Sequence, residues 1–192
     1  MKTLREKIMD WLKHQADSKH AGVVLMLIAF AEASFFPIPP DIFLLPLVMA
    51  HREKWWKYAL MTSLGSVLGG VMGYAIGLYL FTLIGEPLIN FYGLQSQFSQ
   101  VGYFLNETAF WGVFISAFTP IPFKVFTITS GAFNVSLPVF ISAALIGRSM
   151  RFFLGAGLMY LFGERIGNTL YRYLNIVSVI FVLVVITLIF LL

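Results

Sequence analysis

Apolar positions divide the chain into long runs separated by short polar stretches. In residues 1–20, Leu4, Ile8, Trp11 and Leu12 recur at helical spacing among Lys2, Arg5, Lys7, Asp10 and Lys13. One apolar stripe on a basic helix predicts an amphipathic leader lying in a membrane interface. Residues 21–50 are almost wholly apolar. A helix of that length would reach about 45 Å, more than a bilayer core of about 30 Å. A proline-rich break falls in its middle and leaves each half too short to span. Two forms fit this run: one kinked, overlong span, or a hairpin of two half-helices that enters and returns. Residues 55–83 predict a full span, with Gly65, Gly69, Gly73 and Gly77 on one face. Such a small-residue seam lets a second helix approach closely in lipid. Residues 84–108 are less apolar; Phe91, Leu94, Phe98, Val101 and Leu105 keep helical spacing and predict a second interfacial helix, opened by Glu86 and Pro87. Residues 109–134 form another broken apolar run. Residues 137–163 predict a second span, carrying Gly147 and Gly155, and 173–192 a third.

The two broken runs share a motif. The first is Pro37-Ile38-Pro39-Pro40-Asp41 and the second Pro120-Ile121-Pro122-Phe123-Lys124, 83 positions later. Proline removes a backbone donor and clashes with the preceding turn, so Pro37, Pro39, Pro40, Pro120 and Pro122 mark places where a helix stops. Each motif ends on a charge, and the signs are opposite: Asp41 and Lys124. Gly65 and Gly147 lie 82 positions apart, as do Gly73 and Gly155. The duplication therefore covers a broken run and the span after it. Arg151 stands in the slot that Gly69 holds in the first copy.

Composition adds the environment. The chain is 59% apolar and 11% charged, with a mean hydropathy of +0.85, which places it among multi-span membrane proteins. It has no cysteine, which excludes disulfides, thiol catalysis and Cys-ligated metals. The first 20 residues lack a signal-peptide pattern, so the N-terminus is expected to be retained.

The positions of Lys and Arg then choose between the two forms of the first broken run. Lys2, Arg5, Lys7, Lys13 and Lys19 precede it, Arg52, Lys54 and Lys57 follow it, 84–108 has no Lys or Arg, and 164–172 has Arg165 and Arg172. Basic residues favour cytoplasmic loops. Both basic clusters fall on one side only if 21–50 enters and returns. Then 55–83 crosses outward, the second hairpin enters from outside, and 137–163 crosses back. The expected fold is all-α and integral to the membrane. It is an inverted repeat of re-entrant hairpin plus transmembrane helix, with amphipathic interfacial helices and a C-terminal span. Its segments are a leader (1–20), repeat 1 (21–83), an interfacial helix (84–108), repeat 2 (109–163) and the last span (173–192). The N-terminus is cytoplasmic and the C-terminus outside.

Glu32, Asp41, Lys124, Arg148 and Arg151 all fall within apolar segments. Each unpaired charge near a span centre costs roughly 2.5–3.5 kcal/mol, so the five must pair or be hydrated. Inverted symmetry would bring Asp41 near Lys124 in a central polar cluster. One reading is an ion-pair network that only fixes the hairpins. The other is a hydrophilic path for a polar headgroup or ion. Three bases against two acids leave a positive surplus that suits an anion such as a phosphate. The helix N-termini after each proline pair would add positive dipole ends. Glu32 or Asp41 would carry a coupling proton. His14, His20 and His51 lie outside the spans and suggest no metal site. No catalytic triad, P-loop or dinucleotide fingerprint appears, so no enzyme activity, cofactor or nucleic-acid partner is expected.

The stretches Glu32-Ala33-Ser34-Phe35-Phe36-Pro37-Ile38-Pro39-Pro40-Asp41 and Phe118-Thr119-Pro120-Ile121-Pro122-Phe123-Lys124-Val125-Phe126-Thr127-Ile128 resemble the DedA family, which has the VTT (SNARE-associated) domain, and in particular its short YqaA-like bacterial branch. The resemblance covers roughly 22–165. It implies two facing re-entrant hairpins in the bacterial inner membrane, and movement of a phospholipid or polyprenyl-phosphate lipid between leaflets by scrambling or proton-linked flipping. The family's important acids would fall on Glu32 and Asp41, and its embedded basic site on Lys124. Many relatives carry arginine there and at the position of Ala117; here Arg148 and Arg151 would supply that charge. The leading expectation is a lipid transporter whose partners are membrane lipids, anionic phosphate headgroups favoured, and protons. A proton- or ion-coupled small-solute transporter and a non-transporting membrane assembly factor are the alternatives, and homo-oligomerisation is left open.

Overall fold

A computed structural model describes residues 20–35, 39–93, 95–119 and 121–191, with side chains over these except at 88, 97, 104, 164–172 and 174–191. The predicted leader, apart from His20, and the prolines Pro37 and Pro120 lie outside the described residues.

Every regular element among the described residues is helical. The first broken run forms α1 (Ala21–Ser34) and α2 (Asp41–Ala50). Their 14 and 10 residues give about 21 and 15 Å at 1.5 Å per residue, each short of a bilayer core. Pro40 stands just before α2 with helical dihedrals, and its carbonyl accepts the amide of Leu44 at 2.9 Å. Proline is tolerated at a helix start because the missing N–H would have no partner there. A single turn, Arg52–Lys54, leads into α3 (Trp55–Leu80). The stretch Arg52–Gly85 is long and apolar enough to cross a membrane. A π-type turn, Phe81–Gly85, joins α3 to the short α4 (Glu86–Tyr92), which Gly93 ends in the left-handed region (φ 66°). Glycine is the residue that adopts this conformation without a Cβ penalty.

The second broken run forms α5 (Gln95–Phe118) and α6 (Phe123–Ala132). The expected boundary near 108 is not a break. From Gln95 the helix runs through to Phe118, because no proline interrupts it and two isolated glycines, Gly102 and Gly112, do not stop a helix. The expected interfacial stretch is thus divided at Gly93: Glu86–Tyr92 is a short helix of its own, and the part from Gln95 is continuous with α5. A turn at Phe133 and Asn134 leads to α7 (Leu137–Leu191), which Gly163 interrupts with φ 69° and ψ −165°. The portion Leu137–Gly163 is the second helix long and apolar enough to cross. The expected third span, 173–192, falls in the helical stretch beyond Gly163. Its side chains, Tyr173 excepted, lie outside the described set.

Helix packing follows the duplication with the copies exchanged. First arms pack on their own span: α1 on α3, and α5 on α7. Second arms pack on the other copy's span: α6 on α3, and α2 on α7. Trp55 stacks on Tyr160 with ring centroids 5.6 Å apart, while Gly70 faces the Phe140 ring, so α3 and α7 run antiparallel. Two apolar clusters result. One joins Leu25, Leu44, Val48, Ala59, Phe152 and Met159. The other joins Ala33, Tyr74, Val113, Phe123, Phe140 and Ala144.

The glycine seam of α3 explains how both hairpins reach one helix. A Cβ on Gly65 or Gly69 would collide with the backbone of Met26 or Phe30 in α1. On Gly73 it would strike the Thr127 hydroxyl, and on Gly77 the Ile128 carbonyl, both in α6. Gly147 repeats the device on α7, where a Cβ would lie 2.7 Å from that of Ala117 in α5. Gly155 does not: its nearest neighbour, Leu45 Cδ2, is 4.0 Å away, so a methyl group fits there. Beside the seam, Leu60, Leu64, Leu68 and Met72 are exposed on α3. Leu, not charge, on the outward face is what a lipid-facing helix requires.

Candidate functional site

The polar centre is assembled where the broken ends of the helices meet α7. Glu32 lies in the last turn of α1 and Asp41 is the first residue of α2, so the two acids flank the first break. Arg148 and Arg151 are three residues apart on α7, hence on one face. Arg148 Nη2 donates to Glu32 Oε2 at 2.9 Å, and Arg151 Nη2 to Asp41 Oδ2 at 2.8 Å. All four side chains are at least 85% buried. These are charge-assisted hydrogen bonds of normal length. A buried pair gains from low dielectric but must offset desolvation, and removing one partner leaves an uncompensated charge.

Each arginine has a second neighbour. The Arg148 guanidinium lies 4.3 Å from the centre of the Phe123 ring and 5.5 Å from that of Phe152, cation–π distances in both cases. Among the described residues, its Nε hydrogen and the buried Ser66 hydroxyl have no hydrogen-bond partner. Arg151 Nη1 approaches the Phe118 carbonyl at 3.5 Å, the outer limit of a hydrogen bond. Phe118 ends α5, immediately before the second break. One guanidinium therefore touches the residue after the first break and the residue before the second.

Four of the five predicted charged residues, Glu32, Asp41, Arg148 and Arg151, are thus together. Asp41, expected near Lys124, has Arg151 as an ion-pair partner. The reason is the exchange of arms: α2 packs on α7, which carries the arginines, while α6 packs on α3. Lys124 is half-buried at the second position of α6. Asp41 suits the positive end of α2, whereas Lys124 stands at the positive end of α6, a placement that costs the helix about 0.3–1 kcal/mol. Its charge is therefore not there to stabilise its own helix. Pro40 and Pro122 immediately precede α2 and α6.

Three residues escaped sequence reasoning. Phe123, the platform under Arg148, follows Pro122 in the motif, yet nothing distinguishes it there from any other apolar residue. Ser34 donates to Gly69 O at 3.0 Å and ties the end of α1 to the glycine seam. Thr127 donates to Lys124 O at 2.9 Å while facing Gly73. Small hydroxyl residues in apolar helices carry no spacing signal of their own.

With helices as its only regular elements among the described residues, two of them long and apolar enough to cross a membrane, and two buried ion pairs where broken helices meet, the chain has the build of a small polytopic membrane protein. The family model for the VTT domain matches residues 38–161, and the chain belongs to this family, DedA. It is 34% identical over 176 residues to an uncharacterised protein of Haemophilus influenzae, covering 92% of this chain and 89% of the relative. It is 32% identical over 189 residues to an uncharacterised protein of Histophilus somni, covering 97% and 96%. A third uncharacterised relative, from Methanocaldococcus jannaschii, is 27% identical over 128 residues, covering 66% of this chain and 76% of the relative. No solved structure matches.

Proposed function

We propose that the protein moves the phosphate-bearing headgroup of a membrane lipid between leaflets, through the polar joint between two facing hairpins in the bacterial inner membrane. The observation that supports this most is the pairing of both buried arginines with acids that flank a helix break. Arginine presents a planar fork that binds carboxylate and phosphate by the same geometry. A lipid phosphate can therefore replace Glu32 on Arg148 and Asp41 on Arg151 without leaving either cation unpaired. Lys124, held at a helix N-terminus, adds a third positive group for the incoming anion. The displaced carboxylates then take up protons, which gives the exchange a route to proton coupling.

The membrane placement belongs to the same proposal. The basic residues put the N-terminus and Arg52, Lys54 and Lys57 in the cytoplasm, and the C-terminus lies outside. Helices α1 and α2 enter and return from one side, α5 and α6 from the other, as an inverted repeat. The antiparallel spans and the exchange of arms favour this reading. No covalent chemistry is assigned to the site.

The test is reconstitution into liposomes with fluorescent phosphatidylglycerol, phosphatidylethanolamine or polyprenyl phosphate in both leaflets, with the outer label bleached by dithionite. Protein-dependent loss of the protected fraction supports the proposal. Liposomes with folded protein that protect every lipid like empty ones refute it. Uptake of a soluble anion in place of lipid would reassign the site to a small solute.

A further inference from the structure

One donor edge of the polar centre is unfinished. In a guanidinium, Nε and Nη2 lie side by side on one edge and together bind two oxygens of an oxyanion. On Arg148, Glu32 Oε2 takes Nη2 at 2.9 Å, while the buried Nε has no hydrogen-bond partner among the described residues. The Ser66 hydroxyl of α3 is in the same condition, in a residue with no exposed surface. One turn earlier, Thr62 and Ser63 each donate to the carbonyl four residues back, at 2.7 and 2.8 Å. Ser66 makes no such bond, so its hydroxyl is not spent on its own helix. Helix register brings the two donors to one level. Antiparallel α3 and α7 meet at Trp55 with Tyr160 and at Gly70 with Phe140. Ala59, Ser66 and Gly70 share one face of α3 by their spacing: Ala59 joins Phe152 in an apolar cluster, and Gly70 faces Phe123 and Phe140. Between these anchors Ser66 stands opposite the turn of α7 that precedes Arg148. A helical side chain leans over the turn before its own, and the Arg148 guanidinium lies against the Phe123 ring that Gly70 also faces.

We infer that Ser66 and the Nε of Arg148 form a two-donor subsite for the oxygens of a phosphoryl group, an assignment that rests on the proposed movement of a phosphate-bearing headgroup. Two donors from facing helices call for acceptors that are not in one plane. A tetrahedral phosphate offers one oxygen to Nε and another to Ser66 Oγ, whereas a planar carboxylate already occupies Nη2. The ligand therefore engages Arg148 while Glu32 still holds it, and the acid leaves afterwards. In that order neither the guanidinium nor the phosphate is unpaired during the exchange, which avoids the cost of an isolated buried charge. Phe123, whose ring covers the guanidinium, is the first residue of α6, so the cover over the subsite belongs to an arm that starts at the second break. Ser66 lies outside both proline motifs and both charged pairs.

The experiment is calorimetric titration of the full chain in detergent with three probes: dihexanoyl-phosphatidylglycerol, inorganic phosphate and dihexanoylglycerol. Wild-type protein is expected to bind the phosphatidylglycerol and to ignore dihexanoylglycerol. Ser66→Ala removes a hydroxyl without a protein partner, so it folds, and it should weaken phosphatidylglycerol about ten-fold or more, the value of a hydrogen bond to a charged group. Ser63→Ala, whose hydroxyl serves its own helix, should bind like wild type. Tighter binding of phosphatidylglycerol than of inorganic phosphate assigns the subsite to a lipid headgroup; the reverse assigns it to the free anion. Unchanged affinity in Ser66→Ala would mean that the hydroxyl meets only water and would overturn the subsite. Equal losses in Ser63→Ala and Ser66→Ala, equal binding of dihexanoylglycerol, or binding of neither phosphate probe would overturn it too. Lipid movement by wild type beside an unaffected Ser66→Ala would remove the subsite and leave the proposed function standing. Binding that depends on Ser66, with no movement between leaflets, would do the opposite.

Discussion

At the scale of residues, the centre is a set of two buried ion pairs. Removing one partner of a buried pair costs about 3–5 kcal/mol, because the other charge stays behind, whereas replacing both by apolar groups can be nearly neutral. Arg151→Ala should therefore destabilise strongly in a urea or thermal titration in detergent. Asp41→Leu combined with Arg151→Leu should destabilise less than either single change; a double variant that loses the sum of both would show that the two residues do not act as a pair. Lys124 differs. Its charge opposes the dipole of α6, so Lys124→Gln should lower lipid movement in a protein that still folds. A Lys124→Gln protein with wild-type transport would remove Lys124 from the path. Which acid meets which base was not legible in the sequence. The repeat suggested Asp41 near Lys124; that Arg151 meets Asp41 was hidden, because a one-dimensional register cannot show that second arms change partners.

At the scale of elements, glycine position decides the architecture. Gly77 faces the Ile128 carbonyl, so Gly77→Val must push α6 off α3. The cost should be at least about 1–3 kcal/mol, as for other overpacked cores. Gly155 has open space at 4.0 Å, so Gly155→Ala should be neutral or stabilise by up to about 1 kcal/mol through helix propensity. Unfolding curves of the two variants check the contrast; equal effects would mean that the seam does not set the spacing. Much of this level was readable from the chain. The fourfold glycine spacing predicted the seam, and the prolines predicted where α2 and α6 begin. The break at Gly93 in place of 108 was not readable, because amphipathic and wholly apolar stretches can share one unbroken helix. The tolerance of Gly155 was also hidden, since spacing alone does not tell a glycine at a close approach from one facing a gap.

At the scale of the whole molecule, the two copies interlock: each span carries the first arm of its own hairpin and the second arm of the other. Arg151, on α7, reaches both Asp41 at the start of α2 and the Phe118 carbonyl at the end of α5. In the proposed bilayer placement, Lys54 and Gly93 would lie on opposite sides. The chain has no cysteine, so single cysteines at these two positions can be labelled cleanly. An impermeant maleimide added to intact cells should reach a cysteine at 93 and not one at 54. Labelling of both, or of 54 alone, would refute the topology.

The central claim is that the arginines handle a lipid phosphate and do more than brace the hairpins. The exchanged pair Asp41→Arg with Arg151→Asp tests it most directly. The swap keeps one acid and one base in contact, so a bracing role survives it, but it moves the phosphate-binding cation from α7 to the first residue of α2. Lipid movement in liposomes carrying this variant should fall to the level of empty vesicles while the protein unfolds near the wild-type temperature. Transport at the wild-type rate by the swapped protein would contradict the account.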